Sequence, residues 1–174
     1  MSGHAAPSAS GHHEETHQPV FVGAPREKLE ALFPKYPTKQ ALLLPALWIV
    51  QEERGWISPQ AMAEVGEVLG LTPAYVKGVV TFYTMYHRHP VGRHVIQVCT
   101  TSPCHLCGAA ETMEALLQGT GCGELGITSP DGRFTVIEVE CLGACGFATP
   151  ILIGDDFVES VTPERVSGIL ERYP

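Results

Sequence analysis

Two cysteine pairs, Cys99-x4-Cys104 and Cys141-x3-Cys145, stand where apolar, strand-like runs break into small and turn-forming residues. The runs read VIQVCTTSPC and VIEVECLGACG, so a fold that brings the ends of two distant strands together lets both thiolate pairs converge on one metal centre. Glycines in these loops allow the backbone to wrap closely around an inorganic core. The pattern is that of an iron–sulfur site.

Composition narrows the class. With 174 residues and globular-average composition, the chain can bury one ample core or two small ones. Nineteen acidic against eleven basic side chains give a formal charge of −8, which disfavours nucleic acid and anionic membrane surfaces and leaves basic or neutral protein surfaces as partners. The opening stretch MSGHAAPSASGHHEETHQPV has neither the apolar core of a signal peptide nor the arginines of a transit peptide, so a cytoplasmic location is expected. In that reducing compartment the six cysteines read as metal ligands or redox groups, not as a disulfide framework. No apolar run approaches the roughly 20 residues that span a bilayer.

The expected organisation is a disordered tail over 1–20, a helical bundle over 21–91 and an α/β domain over 92–174, an α+β protein overall. The tail carries His4, His12, His13 and His17 and too few large apolar side chains to offset ordering entropy. Thr38 caps a helix with Leu43, Ala46, Leu47 and Val50 on one face, ended by Gly55 and kinked at Pro45. Ser58-Pro59 starts a second helix, with Ala61, Val65, Val68 and Leu69 inward and Gly70 as its stop. Thr72-Pro73 starts a third, with Val76, Val79, Val80 and Tyr83 inward. After Pro90-Val91-Gly92 the period turns strand-like. A strand at HVIQVC, a helix at GAAETMEALLQ, a strand at RFTVIEVE, a hairpin at ILIGDDFVESV and a helix from Thr162-Pro163 to Tyr173 follow the order of a thioredoxin-like layer.

A two-iron, two-sulfide cluster takes four thiolates, and its negative charge grows on reduction, so backbone N–H groups must face it. Gly108, Gly143 and Gly146, and the start of a helix after Cys104, supply such backbone. Cys99, Cys104, Cys141 and Cys145 are the preferred ligands. Cys99-x4-Cys104-x2-Cys107 with a distant Cys141 also matches plant-type ferredoxin spacing, but those ligands occupy one long loop, whereas here a helix follows Cys107 and a further pair lies in a second loop. Cys107 is then a buried or half-buried thiol in the first helical turn, and Cys122 a bystander. Structural zinc favours Cys-x2-Cys knuckles, a form neither preferred pair has. Cys104-His105-Leu106-Cys107 has the form of a dithiol oxidoreductase motif but leaves the other cysteines without a role. His105 lacks the second histidine of a Rieske site. Gly121-x-Gly123-x-x-Gly126 follows a helix instead of a strand, which makes it a loop. A helix-turn-helix reading of residues 58–83 fails because Lys77 is the only basic residue in the would-be recognition helix.

The segments ALLLPALWIVQEERGWISPQAMAEVGEVLGLTPAYVKGVVTFYTMYHRHPVGRHVIQVC and PDGRFTVIEVECLGACG closely resemble the family of thioredoxin-like [2Fe-2S] ferredoxin subunits of NADH-quinone oxidoreductase, respiratory complex I, from about Pro37 to Tyr173. That resemblance implies a [2Fe-2S] cluster on Cys99, Cys104, Cys141 and Cys145 and a role as electron carrier, not as a catalyst alone. It further implies a partner subunit binding flavin mononucleotide and NADH, other peripheral-arm subunits, and a place beside the inner membrane without insertion into it. Relatives in NAD-reducing hydrogenases and NAD-dependent formate dehydrogenases make a diaphorase subunit the alternative parent. Trp48, Trp56, Phe82, Tyr83 and Tyr86 offer aromatic surface for docking on the flavin subunit. The resemblance also leads one to expect proline directly after Ala148, where this chain has Thr149 before Pro150.

Overall fold

Helices fill the first half because their start and stop chemistry is written locally. The computed structural model describes residues 18–174, and the expected disordered tail lies outside them except for its last three positions. Val20 is buried and, like Phe21, donates its N–H to the Glu64 carboxylate at 2.9 Å, so the bundle already holds the chain there.

Helix α1 spans Ala24–Glu30, α2 Leu43–Arg54, α3 Pro59–Leu69 and α4 Pro73–Phe82. Ser58 Oγ accepts the Ala61 N–H at 3.1 Å and Thr72 Oγ1 the Tyr75 N–H at 3.3 Å, with proline following each cap. Gly55 and Gly70 close α2 and α3 in the left-handed conformation. The expected kink at Pro45 is a helix start instead. A 3-10 turn over Gln40–Leu42 precedes α2, and Pro45 falls in the first turn of α2, where its missing N–H has no intrahelical partner to lose. Thr38 caps that turn, accepting the Ala41 N–H at 3.2 Å.

Leu47, Val50, Ile57, Val65 and Val76 form the centre of the helical core. Tyr83 departs from its expected inward position and is exposed. Because α4 ends at Phe82, the extended backbone of Tyr83 (φ −89°, ψ 107°) leaves the helical register that would have carried its ring inside. The chain leaving the bundle is clamped by Gln51, whose Nε2 donates to Met85 O at 2.8 Å and whose Oε1 accepts the His87 N–H at 2.7 Å.

The second half holds a four-stranded sheet in the order β2-β1-β3-β4, with β1 at His94–Cys99, β2 at Phe134–Val139, β3 at Ile151–Ile153 and β4 at Asp156–Val158. β1 pairs parallel with β2 and antiparallel with β3, and β3 and β4 form a hairpin. A short helix α5 spans Ser102–Leu106, α6 spans Ala109–Thr120 and crosses from β1 to β2, and α7 spans Pro163–Leu170 and packs on α6. Ile96, Val98, Phe134, Val136, Ile151 and Leu116 centre a core distinct from that of the helices. No helix among the described residues is long and apolar enough to cross a membrane.

Candidate metal centre

Parallel pairing places the cysteine loops side by side. His94 faces Phe134 and Cys99 faces Val139, so β1 and β2 end level, and the loops that leave them emerge at the same sheet edge. Carboxyl ends of adjacent parallel strands are where such sheets place their chemistry. The Thr100 N–H bonds to Val139 O at 3.2 Å and prolongs the pairing up to the loops.

Cys99 and Cys104 are both buried, with sulfurs 3.3 Å apart. That is well beyond a disulfide bond of about 2.05 Å and near the roughly 3.8 Å that tetrahedral geometry gives two thiolates on one metal at about 2.3 Å. Cys141 and Cys145 lie exposed on the neighbouring loop. The Cys104 thiol is pushed up to about 11, first by burial, then by its hydrogen bond with Cys99 and by the charges of Cys99, Cys145 and Cys141. For Cys99, burial pushes upward, but hydrogen bonds from the Thr101 hydroxyl, the Leu142 and Thr101 N–H groups and the Cys104 thiol outweigh it and bring the value down to about 7. Gly143, at φ 77°, turns its N–H onto Cys141 Sγ at 3.4 Å, a conformation that favours glycine.

N–H donors at Cys99 and Cys141 sulfur suit ligands that turn anionic on binding a cationic core. Among the described residues no three His, Cys, Asp or Glu side chains gather tightly enough to hold one ion. A two-iron core asks for two sulfurs at each iron, so its ligands stand as two pairs.

The family model of the thioredoxin-like [2Fe-2S] ferredoxins matches residues 29–174. The chain belongs to that family. Among curated relatives of this ferredoxin, the E subunit of the NADH-quinone oxidoreductase of Pseudomonas aeruginosa is 39% identical, covering 91% of this chain and 95% of its own. NADH-quinone oxidoreductase subunit 2 of Thermus thermophilus is 40% identical, over 86% of this chain and 84% of its own. A solved NAD+-reducing [NiFe]-hydrogenase chain superposes with a TM-score of 0.64 at 23% identity, over 76% of this ferredoxin and 22% of the hydrogenase chain, a likeness of fold. The family's cofactor is a [2Fe-2S] cluster, and the paired thiols at the sheet edge fit it.

Two expectations need correction. The helix expected at GAAETMEALLQ stands as α6, but a short helix that the sequence pattern does not foretell, α5, precedes it and encloses Cys104. Cys107 accordingly ends α5 instead of opening α6, and it is exposed, not buried. Cys104 touches Cys99, and Cys104 and Cys107 are both free thiols. Cys122 is buried in the sheet core, its Sγ 3.5 Å from Phe134 O. The peptide bond before Thr149, not that before Pro150, is cis.

Two residues around the thiols make contacts that the sequence does not foretell. Thr101 Oγ1 lies 3.2 Å from Cys99 Sγ, and the buried Thr149 donates its hydroxyl to Cys104 O at 3.4 Å. Thr101-Ser102-Pro103 has the Thr/Ser-Pro form of the other helix starts, a signal that could have revealed α5. Thr149 is marked in the sequence only as standing where the resemblance leads one to expect proline, and nothing there signals its bond to Cys104.

Proposed function

We propose that this ferredoxin is the electron-transfer subunit of an NADH-quinone oxidoreductase, with Cys99, Cys104, Cys141 and Cys145 holding its [2Fe-2S] cluster. The supporting observation is the level ending of parallel β1 and β2, with Cys99 opposite Val139, which sets both cysteine loops at one edge. When bound, the cluster supplies reversible one-electron storage. The chain's residues hold the sulfurs, bury Cys99 and Cys104 from water, and direct the Leu142 and Gly143 N–H groups at ligand sulfur. No proton-transferring group is required of it.

The partner in this reading is a subunit that binds flavin mononucleotide and NADH, within a peripheral arm on the cytoplasmic side of the membrane. Leu106 and Phe147, 86% and 57% exposed, flank the cysteine loops as apolar surface suited to a protein partner. Trp48 in α2, Phe82 at the end of α4, and Tyr83 and Met85 in the chain beyond it are a second set of exposed apolar residues. The reading also divides the chain into a helical domain over 21–91 and a ferredoxin domain over 92–174.

Single serine variants test the ligand set. Cys141→Ser and Cys145→Ser are expected to lose or disturb the visible absorbance and the electron paramagnetic resonance signal of the dithionite-reduced protein, with Cys107→Ser and Cys122→Ser keeping both. Bleaching by Cys107→Ser with retention by Cys145→Ser would replace the assignment.

A further inference from the structure

Thr101 occupies the N-cap of α5, with extended backbone (φ −62°, ψ 163°) and its carbonyl accepting the His105 N–H at 2.9 Å. Its side chain nevertheless caps nothing, unlike Ser58 and Thr72, which accept N–H groups of their own helices. The Thr101 hydroxyl lies instead 3.2 Å from Cys99 Sγ. In the thiol form the Cys99 proton has Glu140 O within reach at 3.5 Å, and in the metal-bound form a thiolate has no proton to give. In the metal-bound form the hydroxyl is therefore the donor.

We propose that Thr101 is a positioning residue that sets the reduction potential of the centre through this hydroxyl-to-sulfur hydrogen bond. The inference rests on the reading of Cys99 as a cluster ligand. Reduction adds one electron and one negative charge to the site, with no bond made or broken and no proton taken up. That charge spreads onto the ligand sulfurs, so a donor fixed on Cys99 Sγ stabilises the reduced form more than the oxidised one. Hydrogen bonds to the sulfurs are among the levers that tune such potentials. Burial of Cys99 strengthens the effect, because little water is at hand to replace the lost donor.

The test compares Thr101→Val, Thr101→Ala and Thr101→Ser in the full chain with its cluster, by iron and sulfide content and by a dithionite titration followed by electron paramagnetic resonance. Valine and alanine remove the donor, and serine keeps it. The valine variant is expected to take up a full cluster and to be harder to reduce, by on the order of tenfold in the reduction equilibrium, which is about 59 mV for one electron. The serine variant should titrate like the parent. Full clusters with the parental potential in valine and alanine variants overturn the proposal, as does a serine variant shifted as far as valine. Loss of the cluster from both valine and alanine variants also overturns it, because the hydroxyl would then serve assembly. A parent protein without iron and sulfide would instead defeat the cofactor reading.

Discussion

Tyr86 joins the helices to the outgoing chain through one buried ring. Its hydroxyl donates to Leu44 O at 2.9 Å, and the ring meets Trp48 and Tyr83 edge-on with centroids 6.2 and 6.4 Å away. Burial, and secondly the neighbouring Tyr83, push its ionisation up to about 12 from the usual 10.0. A raised folded-state value means that the folded protein holds this proton more tightly than the unfolded chain. The resulting stability is fully present below pH 10 and is lost as pH climbs through about 12. Tyr173, also pushed up by burial and then by its bond to Asp156, acts in the same sense. Denaturant midpoints measured by circular dichroism should hold level approaching pH 10 and fall beyond it. Tyr86→Phe should make that fall shallower while lowering stability at neutral pH by roughly 1 kcal/mol for the lost hydrogen bond to Leu44. An unchanged alkaline slope in Tyr86→Phe would show that other groups carry it.

At the element scale, the entry into β1 is where the chain has least room. A side-chain carbon on Gly92 would stand 2.6 Å from the carbonyl carbon of Phe134 and 2.8 Å from its N and O, all backbone atoms of the neighbouring strand. The Gly92 N–H also donates to the buried Thr135 Oγ1 at 2.7 Å. Gly92→Ala must therefore push β1 from β2 at the first paired position, and overpacking of this kind costs about 1–3 kcal/mol. Chemical denaturation should show that loss, and a parental midpoint would mean that the strand start yields freely. Gly92 is legible as punctuation between helical and strand-like periods, but its contact with Phe134 is not, since pairing partners are set by the whole sheet. The same division runs through the site. β1 matches HVIQVC and β2 lies within RFTVIEVE, because alternating apolar residues bounded by turns mark strands without outside help. Five residues of α5 are too few to display a helical period, so the sequence pattern puts Cys107 in the wrong helix. It misplaces Tyr83 because apolar spacing continues past the end of α4 while the backbone does not. Thr101 is readable as a cap by its place before Ser-Pro, whereas its bond to Cys99 exists only because β1 ends where α5 begins.

For the whole molecule, the separation of the two cores decides how a cluster feeds into stability. The helical core runs from Val20 to Tyr86 and the sheet core from Ile96 to Tyr173, while Cys99, Cys104 and Ala109 form a small cluster of their own where β1 ends. Metal bound only by the folded form stabilises what must fold to bind it. With Cys99, Cys104, Cys141 and Cys145 as the proposed ligands, removing the cluster would leave them without a common counter-charge at the end of β1 and β2, and the cost would fall on the sheet half. Both tryptophans of the chain, Trp48 and Trp56, lie in the helical half, which makes their emission a reporter of that half. In protein stripped of iron by acid and chelator, hydrogen exchange in β1 and β2 should accelerate by at least tenfold. The midpoint of the tryptophan transition should stay at its parental value, even though the emission intensity rises once the coloured centre is gone. Chains with two cores need not unfold in one step, and this pairing of readouts separates the cases. A tryptophan midpoint that drops together with the protection of β1 and β2 would mean that Gln51 and the chain it clamps couple both halves into a single cooperative unit.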